Sequence, residues 1–128
     1  MPLNTIVLSL FISRGMDKYK ILQGDFNQMK KHNILVINPG STSTKIAVFA
    51  DDSILLESSL NHDSQALAGF NRVIDQLSFR KEAVLGFLDD AGIKVDTLGC
   101  IVARGGMLKP ISGGTYLIHQ GMCDELRT

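Results

Sequence analysis

A short segment rich in hydroxyl side chains carries the clearest chemical signal in this sequence. It reads Asn38-Pro-Gly-Ser-Thr-Ser-Thr-Lys45 and joins two apolar runs rich in β-branched residues. Pro and Gly supply the backbone angles of a tight turn, so the pattern predicts a β-hairpin. Small residues let backbone N–H groups approach an anion, the hydroxyls add donors, and the lysine adds charge. The sequence therefore predicts a phosphate-binding turn on a hairpin.

Plainer interpretations of this segment stay open. Asn, Pro, Gly, Ser and Thr favour turns in any protein, so the segment could serve only to reverse the chain. Lys45 alternates with Ala47 and Phe49, so its side chain could simply face solvent. A Walker-type P-loop is excluded, because the second glycine before the lysine is missing and an apolar strand follows.

A second candidate site follows the apolar run from Leu98 to Ala103. Such a run is typical of a buried central strand, and Arg104-Gly-Gly comes directly after it. Open α/β sheets bind ligands beyond the carboxyl ends of their strands, and arginine holds a carboxylate or phosphate with two parallel hydrogen bonds. We expect Arg104 to contact a ligand, and Gly105 and Gly106 to let that ligand approach the backbone. The alternative for Arg104 is an ion pair with a nearby acid.

The other polar residues give weaker signals. Asp51 and Asp52 could bind a metal, but adjacent acids at the tip of a hairpin usually only solvate it. We expect His62 at the surface beside a helix cap and His119 at the end of a strand. Neither histidine has a sequence neighbour that indicates catalysis.

Length and composition restrict the class of protein. The chain has 128 residues, enough for one domain, and its thirteen basic and thirteen acidic residues cancel. The charge therefore does not suggest a nucleic acid or a membrane surface as partner. Cys100 and Cys123 have neither metal nor redox spacing, so we expect reduced thiols in a cytoplasmic protein.

The first residues differ from the remainder of the chain. Residues 6–12 are apolar, but they are too few to span a bilayer and lack the flanks of a signal peptide. We interpret residues 1–28 as a poorly structured leader or an overlong gene start, and residues 29–128 as the domain. The alternative for the leader is an added N-terminal strand.

Hydrophobic periodicity predicts the elements that must position the two candidate sites. An antiparallel three-strand meander leads into a helical region that the capping residues 61–64 precede. Apolar residues at three- and four-residue spacing predict one buried helix face, with a break near Leu77 to Ser78 and a stop at Ala91-Gly92. The residues of that face are Leu67, Phe70, Val73, Ile74 and Leu77. A fourth strand then runs parallel to the first. The predicted strands are Ile34–Asn38, Thr44–Ala50, Ser53–Ser59, Leu98–Ala103 and a short strand at Tyr116–His119, followed by a helix from Gln120.

This βββαβ order, a meander plus a crossover helix, resembles the first half of a ribonuclease-H-like domain of the actin-like ATPase, acetokinase type. In that architecture the turn between the first two strands grips nucleotide phosphates. The resemblance implies an incomplete α/β domain of this kind.

Two motifs together resemble the acetate and butyrate kinase family. They are the turn from Asn38 to Lys45 and the segment Val102-Ala-Arg-Gly-Gly-Met-Leu-Lys-Pro-Ile-Ser-Gly-Gly-Thr-Tyr116, which is typical of the butyrate kinase members. The stretch from Asn61 to Gly92, with Phe79-Arg-Lys81 at its centre, also looks like that subgroup. Acetate kinases carry histidine before the paired glycines, where this chain has Arg104. The resemblance covers about Asn33 to Thr128.

The resemblance implies reversible phosphoryl transfer, in which ATP and butanoate give ADP and butanoyl phosphate with Mg²⁺. Arg104 would be the catalytic residue, Gly105 and Gly106 would bind substrate, and Asn38 would also belong to the metal shell. The residues that would bind the nucleotide are Asn38, Gly40, Ser41, Ser43 and Lys45. The implied partner is a small carboxylate, with no nucleic acid and no membrane, and full-length relatives are expected to be homo-oligomers.

Members of this family have two domains with the active site between the halves, and this chain matches only the N-terminal part. We therefore expect a truncated chain that is inactive alone. One alternative is a non-catalytic remnant or partial gene product that acts only as a phosphate-binding or folding module. Another is a kinase for acetate, propionate or branched-chain acids.

Overall fold

Six strands form one mixed sheet in the computed structural model, which describes residues 6–11, 33–105 and 108–128. The sheet and its helices make a mixed α/β fold. The strands are β1 (Ile6–Phe11), β2 (Asn33–Pro39), β3 (Ser43–Ala50), β4 (Ser53–Asn61), β5 (Leu98–Gly105) and β6 (Gly114–Leu117). Their order across the sheet is β4-β3-β2-β5-β1-β6.

The predicted meander is confirmed, because β2, β3 and β4 pair antiparallel in sequence order. The chain reverses between β3 and β4 at Asp51 and Asp52. Asp51 has a φ of 53°, in the left-handed region that aspartate tolerates better than most side chains. Both acids are exposed, so they form the solvated tip of this hairpin.

The helical region is α1 (Ser64–Ala68), a 3₁₀ turn (Val73–Gln76) and α2 (Leu77–Asp90). The predicted cap is confirmed, since the Asp63 carboxylate accepts a hydrogen bond of 2.8 Å from the Gln65 N–H. The prediction of a helix that continues through Phe70 to Leu77 is wrong. Gly69 ends α1 early because glycine is a poor helix former, and the chain becomes helical again only after Arg72.

Gly92 ends α2, as its sequence position indicates. Its φ is 69°, a left-handed conformation that costs glycine nothing. The Gly92 N–H donates to the Asp89 carbonyl at 2.9 Å and the Ile93 N–H donates to the Leu88 carbonyl at 2.8 Å. These two bonds are the Schellman pattern, which satisfies the last carbonyls of the helix.

One face of the sheet packs on α2 and forms the core. The buried cluster joins two side chains of α2 to four from the strands: Val84 and Leu88 from the helix, and Leu35, Ile46, Val48 and Leu98 from β2, β3 and β5. Leu98 reaches this face because the register between β2 and β5 shifts by one residue at the start of β5. Such a bulge moves a side chain to the other face of a strand.

The prediction that β5 is a central strand parallel to the first strand of the meander is confirmed. It lies between β2, which it pairs in parallel, and β1, which it pairs antiparallel. Ile6–Phe11 is thus a strand of the sheet, the alternative that the sequence left open for the leader. The remaining residues of that leader lie outside the described residues.

The last elements are β6 and α3 (Gln120–Arg127). The short strand begins two residues earlier than predicted, and it pairs in parallel with β1. Arg72 donates a hydrogen bond of 3.0 Å to the Arg127 carbonyl, which links the start of the 3₁₀ turn to the end of α3. Within the described residues, no helix is long and apolar enough to cross a bilayer.

The packing of α2 gives a direct test of this core. Leu88 is 1% exposed and Leu85, on the same helix, is 40% exposed. We expect Leu88→Ala to lower the free energy of unfolding by about 2–5 kcal/mol, because it removes buried methyl groups and leaves a cavity. Leu85→Ala is the matched control and should cost less than about 1 kcal/mol. Urea unfolding followed by circular dichroism measures both, and equal losses would contradict the packing.

Candidate functional site

The structure brings the two sequence-predicted sites to one edge of the sheet. Because β2 and β5 are parallel, their carboxyl ends meet at the same edge. The turn of residues 40–42 follows β2 there, and Arg104 lies at the end of β5. Ligand sites in open α/β sheets occupy such edges.

A row of polar side chains crosses the sheet near this edge. Asn38 and Lys45 are directly opposed on β2 and β3, and Ser59 of β4 opposes Lys45. Arg104 belongs to the same face, because side chains alternate along a strand and Val102 opposes Val36 two residues earlier. This face is the one opposite α2, so the polar row does not compete with the core.

A shallow depression of about 390 Å³ lies over part of this row. Its walls combine apolar and polar residues of the three meander strands: Val36, Asn38, Lys45, Ile46, Ala47, Glu57, Ser58 and Ser59. Lys45 is exposed and Asn38 is half-buried. Glu57 adds one negative charge, so an anion would be held near Lys45 and the turn and away from Glu57.

Arg104 and Gly105 lie at the other side of the same edge. Arg104 is exposed, and no carboxylate of the described residues lies within ion-pair distance of it. Gly105 is the last residue of β5. Gly106 lies outside the described residues, so its predicted role stays a prediction.

The turn is contacted from the α2 side by Arg80, a residue that the sequence analysis did not assign to the site. Arg80 of α2 donates from Nη2 to the carbonyls of Gly40 (2.8 Å) and Ser41 (3.2 Å). Its Nη1 donates to the Ser43 carbonyl at 3.1 Å and to the Thr44 hydroxyl at 2.9 Å, and its Nε donates to Gln76 at 2.9 Å. These five bonds match the five N–H donors of a guanidinium.

A buried histidine completes this contact. The His62 Nε2 lies 2.8 Å from the Thr44 hydroxyl oxygen, and its ring packs edge-on against Phe79 with centroids 5.3 Å apart. His62 is 8% exposed and Thr44 is 1% exposed. The expectation of a surface position for His62 is therefore wrong, because the ring fills the space between β3 and the start of α2.

The hydrogen bonds assign the state of this histidine. Arg80 can only donate, so the Thr44 oxygen accepts from it. Among the described residues His62 Nε2 is the remaining partner of the Thr44 hydroxyl, so we assign the hydroxyl proton to the bond with Nε2. The ring is then neutral, with its proton on Nδ1. Burial lowers the pKa of His62 below its ordinary value of 6.5, and the positive charge of Arg80 lowers it further. A neutral ring is thus the state that this network stabilises.

The described residues supply few metal ligands. They contain no group of three or more His, Cys, Asp or Glu side chains that could hold a metal ion. Cys100 and Cys123 form no disulfide. Burial raises the pKa of the Cys100 thiol, which keeps it protonated and unreactive.

A scan of the sequence against models of known protein families finds no family that matches.

Sequence reasoning missed Arg80, Thr44 and His62 as parts of this site. One signal was present for Arg80, which lies four and eight residues before Val84 and Leu88. That spacing puts a charged residue in line with the buried side of α2, where a charge needs partners. The sequence could not indicate that those partners are carbonyls 37 to 40 positions earlier in the chain.

The histidine predicts a pH dependence of stability. Because the pKa of His62 is lowered in the folded state, the His62 ring binds a proton more readily in the unfolded chain. The stability contributed by neutral His62 is complete above the unfolded pKa of about 6.5 and falls as the pH drops from there through the folded value. We expect the free energy of unfolding, measured in urea from pH 8 to pH 5, to decrease over this range.

Two variants isolate this effect. His62→Gln should flatten the decrease, since an amide oxygen still accepts from the Thr44 hydroxyl and does not titrate in this range. His119→Gln is the matched control, because His119 is exposed, and it should keep the wild-type slope. Identical slopes for wild type and His62→Gln would contradict the assignment.

Proposed function

We propose that this chain is the N-terminal, nucleotide-binding part of a carboxylate kinase that transfers the γ-phosphoryl group of ATP to butanoate. The observation that carries the proposal is the meeting of the hydroxyl-rich turn and Arg104 at one edge of the sheet. Phosphoryl transfer needs charge and hydrogen-bond donors placed around the phosphate oxygens, and these two segments offer both.

The strand order supports the finer assignment of the fold, which we propose as ribonuclease-H-like of the actin-like ATPase type. The order β4-β3-β2-β5 has an antiparallel meander and a parallel fourth strand, with α2 in the connection between them. This is the arrangement that the resemblance implies for the first half of such a domain. The turn after β2 then takes the position of a phosphate-binding turn.

The proposed phosphoryl transfer requires neither a covalent intermediate nor a general base. A butanoate oxygen attacks the γ-phosphorus, the bond from that phosphorus to the bridging oxygen breaks, and ADP leaves with the electron pair. The carboxylate is already ionised at neutral pH, so no general base is required. In this proposal the turn and Lys45 hold the phosphates, and Arg104 stabilises charge on the carboxylate or on the transferred phosphoryl group.

The proposal includes Mg²⁺ as the companion of ATP. Magnesium keeps several waters and is usually held by one or two protein ligands together with substrate phosphates. Asn38 fits such a limited role, since its side-chain amide lies on the open face beside Lys45. The metal would neutralise phosphate charge when bound, while the residues of this chain orient the nucleotide.

The wider expectations belong to the same proposal. The protein would work in the cytoplasm, in the metabolism of short-chain fatty acids, on a small carboxylate. The chain alone would lack turnover, because the resemblance places the other wall of the active site in a second domain. Full-length proteins of this kind would form homo-oligomers.

Binding of nucleotide by this chain is the first test. We expect MgATP to shift the backbone amide signals of residues 40–45 in a ¹⁵N-correlated NMR titration, and to leave those of the β3–β4 tip unchanged. Asn38→Ala should weaken this binding while leaving the urea midpoint close to wild type, because the half-buried amide lies outside the core. Absence of shifts at the turn would remove it from the proposed active site.

Activity is the second test, in a kinase that carries this chain as its N-terminal part. We expect Arg104→Ala to lower kcat/KM with butanoate by roughly two to three orders of magnitude, the scale of one lost transition-state charge contact. Arg72→Ala is the matched control, since Arg72 pairs with Asp75 on the surface. Trapping of the acyl phosphate with hydroxylamine measures both. A change of less than about threefold for Arg104→Ala would make this residue structural.

A further inference from the structure

We propose that Arg80 is the positioning residue of the phosphate site, because its contacts turn two backbone N–H groups outward to form an anion cradle. The proposal rests on the proposed function and adds to it the device that prepares the turn for phosphate. Arg80 itself does not touch the ligand in this proposal.

The geometry follows from the planar peptide bond. In a trans peptide unit the C=O and the N–H of the next residue point in opposite directions. The carbonyls of Gly40 and Ser41 both point to Nη2 of Arg80, so the N–H groups of Ser41 and Thr42 point away from Arg80 and from α2. Ser41 and Thr42 are exposed, and the backbone hydrogen bonds of the described residues give neither N–H an acceptor, so both are available to a ligand.

Two consecutive N–H groups that point the same way form a small anion-binding concavity. The open face with Asn38 and Lys45 lies on the side of the sheet opposite α2, which is the side that these N–H groups favour. A phosphate oxygen at the turn could therefore meet two backbone donors and the lysine ammonium together.

The charge of Arg80 strengthens this arrangement. A cationic donor on a carbonyl polarises the peptide unit, so the N–H at its far end becomes a better donor. The guanidinium of Arg80, a planar fork of donors, also bonds three carbonyls and one hydroxyl at once. These bonds restrict the backbone conformation of the turn before the ligand binds. A turn fixed in its binding conformation loses less conformational entropy when it binds.

Lysine cannot replace this fork. Its ammonium is a point charge with three donors on a flexible stem, whereas the guanidinium offers five donors in a plane. Arg80→Lys thus keeps the charge and loses the simultaneous contact with the turn. Arg72→Lys is the matched control, because Arg72 contacts Asp75 and the Arg127 carbonyl and makes no described contact with the turn.

The experiment titrates the 128-residue chain with MgATP, and separately with inorganic phosphate, and follows the amide signals of Ser41 and Thr42. We expect both amides to shift in wild type and in Arg72→Lys with the same Kd. Arg80→Lys should weaken the Kd for MgATP at least about tenfold, the effect of one lost charge-assisted contact network. Urea unfolding of each variant separates this loss of binding from a loss of stability.

A measurement on wild type alone covers the case in which Arg80→Lys does not fold. The guanidinium N–H signals of Arg80 should keep their positions when phosphate is added, since those protons stay on the turn carbonyls. Large shifts of these signals would mean that Arg80 leaves the turn to bind the anion, and would overturn the positioning role. A Kd of Arg80→Lys for MgATP within twofold of the wild-type Kd would also overturn the positioning role of Arg80, but it would leave the proposed function intact. If wild type binds neither MgATP nor phosphate, both proposals fall.

Discussion

The fork of Arg80 on the turn between β2 and β3 is the contact on which the candidate site depends. A turn at the end of a sheet leaves some carbonyls without strand partners, and those of Gly40 and Ser41 are two of them. Arg80 satisfies the carbonyls of Gly40, Ser41 and Ser43 together. The same contact places a positive charge behind a segment that is proposed to bind phosphate.

This fork connects the site to the hydrophobic core. Val84 and Leu88 anchor α2 against the sheet, and Arg80 lies one and two turns before them on the same side of the helix. The packing of the helix thus decides where the guanidinium lies. Behind the fork, Thr44 and His62 close the contact with a buried hydrogen bond, so the turn, the helix and β3 form one network.

One face of the sheet contributes to stability and the other carries the candidate site. One face packs on α2 and supplies the burial that stabilises the domain. The other face carries the polar row of Ser59, Lys45, Asn38 and Arg104 at the edge where β2 and β5 end. Because adjacent side chains in a strand point to opposite faces, one short segment such as Thr44-Lys45 contributes to both. A shift of one residue in the register of β3 would bury the lysine and expose the threonine.

The local features of the fold follow directly from the sequence. Alternating apolar residues around Asn38-Pro-Gly specify the hairpin, Asp63 caps a helix, and Gly92 ends one, since each depends on neighbours within a few positions. The end of α1 at Gly69 was not foreseen, because the apolar spacing continues through residues where the helix stops. Which distant groups meet depends on tertiary packing. That packing placed Ile6–Phe11 between β5 and β6 and put Arg80 against carbonyls far away in the chain, because no local pattern records such contacts.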